Sequence, residues 1–481
     1  MLIQVIRDSQ NETKSDTGEA LLVKCNVPQE IDLSLDENIS ELPADVVTMS
    51  SAHLGSKEGR PFKIQLKVYV SISGANRASL PRTVTNVCVS IDGPEFIHVI
   101  PKSTVIEKLS TSSTTPLLLQ FTCYATKATL PVKLEASIIA SYICSNGEPR
   151  CLTRPIALPL ILVCRLKSAS KSAAYKVTID TPFDAVPLTD LFDDFLLASQ
   201  ECGVDVSDAL GKAATQAMGF GLYHDGSSVS ILVSKQTGRY RIQCDNFPSL
   251  AIISSELERR LAKTLGKSPV RKSGEAIPPL VSVSEPLPLD AFFIALAEHF
   301  NARAEINNLL AQLNDLAHQF RMIQKRLLVR YKDRNPSALG GLGTLLHESY
   351  GRIIEMGDRI ESKKSDLRHR SIRLEGAALL MTQLISLKYS LSPGERTLLE
   401  GVLAPELRDG SDMGQGWEET VLAGSTYLLK SLMGRGGKES SSLIATALDM
   451  PEDIERLKAN IGLIVDRFER GERMTKLPTT T

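Results

Sequence analysis

Residues 306–327 read INNLLAQLNDLAHQFRMIQKRL, and the large apolar side chains that repeat within them fall at Ile306, Leu309, Leu313, Leu316, Phe320, Ile323 and Leu327. Steps of three and four in alternation put all seven on one stripe of a helix, the pattern of a heptad seam. Asn335-Pro-Ser-Ala-Leu-Gly-Gly then stops the helix. Beyond it Leu346, Ile353, Ile360, Leu367, Leu374 and Met381 recur every seven residues, but the alternate seam positions are poor and include Gly357 and Lys364. One strong seam beside one weak seam predicts an antiparallel helical hairpin over residues 286–391, not a long two-chain zipper.

On the C-terminal side, Ser392-Pro-Gly-Glu opens a helical region over 392–481. It contains Gly416-Trp-Glu-Glu-Thr-Val, a loop at Gly434-Arg-Gly-Gly-Lys and a last helix from Pro451 to about Arg470. On the N-terminal side, the Pro- and Ser-rich stretch from Lys267 to Pro288 marks a boundary. Before it, residues 170–285 mix periods and predict an α/β platform. Tyr175-Lys-Val-Thr-Ile is a strand, Leu188–Ala198 a short helix, and Leu250–Leu265 an amphipathic helix. Gly219-Phe-Gly-Leu-Tyr, Val229-Ser-Ile-Leu-Val and Arg239-Tyr-Arg-Ile-Gln read as a meander. Lys167-Ser-Ala-Ser-Lys-Ser is a linker. Residues 1–166 alternate with period two in Phe62–Ile72 and Val84–Ile91, and Asn146-Gly147 signals a hairpin because both residues tolerate positive φ. These predict an immunoglobulin-like, appendage-type sandwich whose first 58 or so residues are mostly loop. The expected fold class is therefore multidomain: β, then α+β, then α.

The chain has 481 residues, 42% apolar and 23% charged, with a net charge of −1, so its overall field draws it to neither nucleic acid nor an anionic membrane. MLIQVIRDSQ turns polar after six residues, too early for a signal peptide, and no apolar run approaches a bilayer span. The expectation is a cytosolic chain whose eight cysteines are buried thiols and not disulfides. No two of the seven histidines lie four apart and no C-x-x-C occurs, so neither a metal nor a cofactor is expected. The glycine-rich Gly219-Phe-Gly-Leu, Leu339-Gly-Gly-Leu-Gly and Gly434-Arg-Gly-Gly-Lys lack the strand–loop–helix context or the Ser/Thr of a phosphate loop. His224 beside Asp225 reads as a surface turn. No nucleophile elbow is present, and the expectation is a protein without catalytic activity.

What remains is surface. The weak second helix cannot cover the first helix's stripe, and uncovered apolar surface marks a partner site. Leu313, Leu316, Phe320, Ile323 and Leu327 are the candidate interface, with Arg326 and Arg330 at its rim and Trp417 as a possible anchor. Arg321, Lys325, Arg326, Arg330, Lys332 and Arg334 form a basic stretch able to meet an acidic partner or lipid head groups.

Several stretches resemble a known family in sequence order. They are Leu158-Pro-Leu-Ile-Leu-Val-Cys with Ser170-Lys-Ser-Ala-Ala-Tyr-Lys-Val-Thr-Ile-Asp-Thr, Arg239-Tyr-Arg-Ile-Gln, His318-Gln-Phe-Arg-Met-Ile-Gln-Lys-Arg-Leu-Leu-Val-Arg-Tyr-Lys-Asp, and Gly416-Trp-Glu-Glu-Thr-Val. The resemblance, over about residues 60–475, is to Bardet–Biedl syndrome protein 9, a subunit of the ciliary coat called the BBSome. It implies an appendage, a platform, a hairpin and a C-terminal helical region, and a non-enzymatic scaffold that sorts membrane-protein cargo to and from cilia. The family's N-terminal β-propeller has no counterpart here, so the expectation is a fragment, a truncated product or a shortened homologue. The implied partners are other Bardet–Biedl syndrome subunits and, through the complex, an acidic membrane surface, with no nucleic acid. The implied location is the cytoplasm, cilium and ciliary base, peripheral to the membrane. The alternative reading is a vesicle-coat adaptor away from cilia whose appendage binds peptide motifs.

Overall fold

The structure, a computed structural model, describes residues 19–27, 42–50, 61–76, 83–110, 116–201, 206, 216–234, 238–266, 280–332, 340–405, 416–432, 450–451 and 453–474. The chain forms two compact units, one of residues 1–172 with 186–233 and the other of residues 173–185 with 234–481. The opening stretch to residue 58 is described only in part, and the Gly434-Arg-Gly-Gly-Lys loop lies outside the described residues.

The first unit begins with a sandwich of two four-stranded antiparallel sheets. One has the order β1 (Glu19–Asn26), β4 (Gln65–Asn76), β8 (Leu117–Ala125), β6 (Ile97–Ile100). The other runs β10 (Pro149–Ala157), β9 (Glu135–Ile143), β5 (Thr83–Asp92), β7 (Ser103–Ser110). Period-two sequences bury one face of each strand, so Val68, Val70 and Ile72 of β4 and Val87 and Val89 of β5 enter the core with Phe121 and Ile138. Register slips between Thr85 and Cys88, where Asn86 takes a left-handed φ of 52°. Asparagine tolerates that conformation, and the slip is a β-bulge. The β9–β10 hairpin forms as its Asn-Gly signal predicts, but only Gly147 takes positive φ, because a longer turn is closed by Gly147 N–H donating to Cys144 O at 2.9 Å.

Lys167 ends a strand and does not begin a linker. β11 (Cys164–Lys167) pairs with β13 (Ala217–Leu222), which also pairs with β14 (Ser228–Ser234). A Cβ on Gly219 would overlap the carbonyl oxygens of Lys167 and Ser168, so this glycine permits close strand approach and is no part of a phosphate loop. Two short helices, α1 (Leu188–Leu191) and α2 (Asp193–Glu201), follow where one helix was expected. They set Phe192 and Phe195 against Phe220, with ring centroids 5.1 and 5.3 Å apart. His224 Nδ1 lies 2.9 Å from Lys127 O, and Asp225 accepts from Ser227 N–H, a turn held from both sides.

The second unit pairs β12 (Tyr175–Asp180) with β15 (Arg239–Cys244) and follows them with helix α3 (Leu250–Leu265). Two long helices then dominate: α4 (Leu289–Lys332), 44 residues, and α5 (Gly340–Lys388), 49 residues. At about 1.5 Å per residue each exceeds about 60 Å, far longer than the domain's own core. The packed root of this hairpin lies on α3 and on α6 (Pro393–Leu403), α7 (Trp417–Tyr427) and α8 (Glu455–Glu469). α6 starts with a full capping box between Ser392 and Glu395. Glu258 of α3 accepts from Gln383 Nε2 at 2.7 Å and Arg396 Nη1 at 2.5 Å, joining α3, α5 and α6.

Seven cysteines are described: Cys25, Cys88, Cys123, Cys144, Cys151, Cys164 and Cys244. None forms a disulfide. Burial pushes the Cys123 thiol up to about 12, whereas Cys151 is exposed, against the expectation of burial.

Candidate interaction surface on the helical hairpin

The root of the hairpin is an ion network enclosed by three helices. Glu418 Oε1 lies 2.6 Å from His299 Nδ1 and Glu418 Oε2 2.5 Å from Arg303 Nη1. Arg303 also grips Glu419 with both terminal nitrogens, at 2.7 and 2.8 Å, a forked pair in fixed geometry. His299 Nε2 reaches Ser371 Oγ of α5 at 3.0 Å. Burial alone would push the Glu418 carboxyl up, but the His299 hydrogen bond and the charges of His299 and Arg303 outweigh it and hold the group below the usual range. Burial likewise opposes the charge on Arg303, and the two glutamates overcome it and raise its affinity for the proton.

This network explains the Gly416-Trp-Glu-Glu sequence. A Cβ on Gly416 would overlap the Arg303 guanidinium. Trp417 is 3% exposed and meets the Phe292 ring edge-on at 6.3 Å, so its indole fills the core and is not a partner anchor, which corrects the sequence expectation. Ser371, His299 and Glu418 stand in the order of a hydrolase triad. Yet the Ser371 hydroxyl donates to Leu367 O of its own helix at 2.9 Å. In a helix interior the backbone N–H groups that would make an oxyanion hole are already paired. The arrangement fastens helices together.

Beyond about residue 310 the same two helices continue with no third helix against them among the described residues. Leu313, Leu316, Phe320, Ile323 and Leu327 are half-buried, where Ile306 and Leu309 are fully buried. They form the internal seam with α5, and Phe320 meets Tyr350 with centroids 6.3 Å apart. The expected partner stripe is thus covered from within. The other half of the seam is also corrected: Ser349, Met356, Lys363 and Arg370 are the half-buried alternates, while Lys364 is exposed and Gly357 has open space where a Cβ would sit. Two of these alternates reach across the seam, Lys363 to Glu305 at 3.0 Å and Arg370 to Glu298 O at 3.2 Å. A lysine at a seam position passes the apolar stripe with its stem and pairs at its tip.

The exposed apolar residues lie elsewhere on the hairpin. Positions one and four after each first seam residue share one side of the pair, by the helical repeat. Leu310, Leu328 and Tyr331 of α4 and Tyr350 and Ile354 of α5 occupy that side, and all are exposed. The opposite side carries Arg326, Arg352, Arg359, Glu348 and Glu355, and with them the exposed Met322, Val329 and Leu345. Arg326 and Arg330 are exposed near the end of α4. The periodicity argument missed the outward residues because it scored only the seam, and the available signal was a large apolar residue off the seam.

An appendage-type sandwich, a platform and a hairpin rooted in a helix bundle define a multidomain β-then-α class. Four models of one family match in the same order: the PTHB1 GAE domain at residues 63–155, the PTHB1 platform domain at 159–277, the PTHB1 hairpin at 286–389 and the PTHB1 C-terminal helix bundle at 391–468. The chain belongs to the PTHB1 family. Protein PTHB1 of Homo sapiens is 34% identical over 359 residues, 74% of this chain and 38% of that protein. Protein PTHB1 of Xenopus laevis is 34% identical over 350 residues, 72% and 39%. The pthb1 homolog of Caenorhabditis elegans is 24% identical over 236 residues, 49% and 28%. The matches span less than two-fifths of the length of these relatives. They also correct the family name read from the sequence: PTHB1, not Bardet–Biedl syndrome protein 9, is what the matching models and relatives are called, and the two names denote the same protein.

Proposed function

We propose that this chain is a non-enzymatic scaffold subunit of the ciliary membrane-protein coat called the BBSome. It assembles with other Bardet–Biedl syndrome subunits and works peripherally at cilium and ciliary base. Membership of the PTHB1 family supports this reading. The observation that carries it is the exposed apolar side of the hairpin at Leu310, Tyr350 and Ile354, which no described helix covers. A helix of a partner laid along that side supplies the missing layer. Among the described residues no cluster of three metal-ligating side chains is found, and no helix is long and apolar enough to cross a membrane. The adaptor alternative rests on β7, an edge strand whose Val105 is exposed and which offers a peptide a ladder to extend.

The test is affinity purification of the tagged chain with identification of stoichiometric partners. Leu310→Asp with Ile354→Asp is expected to keep the helix content and lose the partners. Leu316→Asp with Phe320→Asp is expected to lose both, because those side chains hold the hairpin itself. Retention of all partners by the first pair rejects the docking side.

A further inference from the structure

At the free end of the hairpin the one-sidedness disappears. Leu328, Val329 and Tyr331 are 60, 59 and 71% exposed, and Leu345 of the facing helix is exposed too, roughly one to two turns further from the end by the pairing of Glu305 with Lys363 and of Phe320 with Tyr350. Successive residues of a helix turn by about 100°. Leu328 and Tyr331 therefore belong to the apolar side described above, while Val329 and Leu345 lie on the opposite one. A partner helix recognises a stripe, and apolar groups on all sides of a tip do not form one.

The charge at this end is equally lopsided. Residues 316–332 and 340–347 contain Arg321, Lys325, Arg326, Arg330 and Lys332 and no acidic residue, five positive less zero negative. Basic side chains interleave with the apolar ones through the last three turns of α4, so each basic residue flanks an exposed apolar group. In the sequence Asp333 and Arg334 follow in the connection between the two helices, so residues 316–347 carry six basic residues and one acidic one, and the next acidic side chains are Asp315 and Glu348. A surface that is anionic outside and apolar a few ångströms deeper satisfies both sets at once, whatever the rotation of the tip about its axis.

We infer that the end of the hairpin, Leu328, Val329, Tyr331 and Leu345 within their basic collar, inserts shallowly into an anionic lipid bilayer. The inference goes beyond the scaffold reading, since it needs no partner subunit. The lysine and arginine heads contact phosphate and carboxylate head groups, and the apolar side chains enter the acyl boundary.

The experiment uses the full 481-residue chain with vesicles of phosphatidylcholine alone or mixed with phosphatidylserine. Sedimentation with the serine-containing vesicles and not with the neutral ones is expected, weakening with salt. Lys325→Ala with Arg326→Ala is expected to weaken it about thirtyfold, the equivalent of about 2 kcal/mol at about 1 kcal/mol per basic residue. Leu328→Ser with Val329→Ser keeps every charge and is expected to weaken it about tenfold by removing the inserted groups. Tyr331→Trp should show a blue shift of emission on the serine-containing vesicles only. These are exposed positions, so melting curves of all variants should superimpose on the parent. Absence of vesicle binding overturns the inference, as does binding indifferent to Leu328→Ser with Val329→Ser. Capture of an acidic protein through the same residues in place of vesicles assigns the end to a protein partner and also overturns it. None of these outcomes depends on whether Leu310→Asp with Ile354→Asp loses partner subunits.

Discussion

The root and the free end of the hairpin are built from the same two helices and the same heptad pattern, yet only the root is core. Near Leu296, Ile306, Leu309 and Leu374 the seam is buried, because α7 and the helices beside it close the third side. From Leu313 to Leu327 the same spacing leaves every seam residue half-buried. A two-helix layer has one internal line of contact, so a heptad decides which residues face each other but not whether water reaches them. The difference has a functional reading. The root spends its polar residues on fastening helices, and the free end presents apolar and basic groups outward.

The largest test of this contrast is Arg303→Ala. It leaves the buried carboxylates Glu418 and Glu419 without their cation and should destabilise the helical unit by about 3–5 kcal/mol. Hydrogen exchange of α4 and α7 amides measures it, and exchange unchanged at the root would mean that the network holds nothing. Acid probes the same site. Because the Glu418 carboxyl is held low in the fold, its stabilisation is complete above the ordinary carboxylate value of about 4.3 and is lost as pH falls from there through the folded value. Root amides should lose protection in that window, and Glu418→Gln should remove that part of the pH dependence.

Leucine truncation compares the two ends directly. Leu296→Ala at the root should cost about 2–5 kcal/mol, whereas Leu328→Ala at the free end should fall within about 0.5 kcal/mol. Equal losses in denaturant melts would erase the distinction. Gly416→Ala should cost about 1–3 kcal/mol, since the new methyl must displace a guanidinium that two carboxylates pin. The smallest effect belongs to Lys363→Ala, about 0.2–1 kcal/mol, because its pairing with Glu305 is largely in water. A loss of several kcal/mol there would show that the seam beyond the root is far more enclosed than its exposure indicates.

Much of the architecture was legible in advance because it is periodic. Period two in Phe62–Ile72 and Val84–Ile91 becomes β4 and β5, and the 3,4 spacing from Ile306 to Leu327 becomes the seam of α4. The misreadings have a common cause. Lys167 looked like a linker because Lys, Ser and Ala are linker-like, yet its backbone pairs with Gly219 fifty-two positions later. Gly219 was read as a strand residue and is one, but the reason it must be glycine, the close approach of Lys167 and Ser168, comes from another strand. Gly357 and Lys364 were placed on the seam because a repeat of seven does not reveal which neighbour, three or four residues on, completes it.

Sequence alone determined the β-then-α order, the hairpin and its heptad, since hydrophobic spacing is a local property carried by the chain wherever it goes. It also carried the basic collar at the free end, six basic residues against the single acid Asp333 over residues 316–347. Only the tertiary structure decided that Trp417 is core, that Glu418 and Glu419 hold Arg303, and that Leu310, Tyr350 and Ile354 face outward on one side. Those are meetings between residues up to more than a hundred positions apart, and burial is set by whatever third element arrives, which no local period encodes.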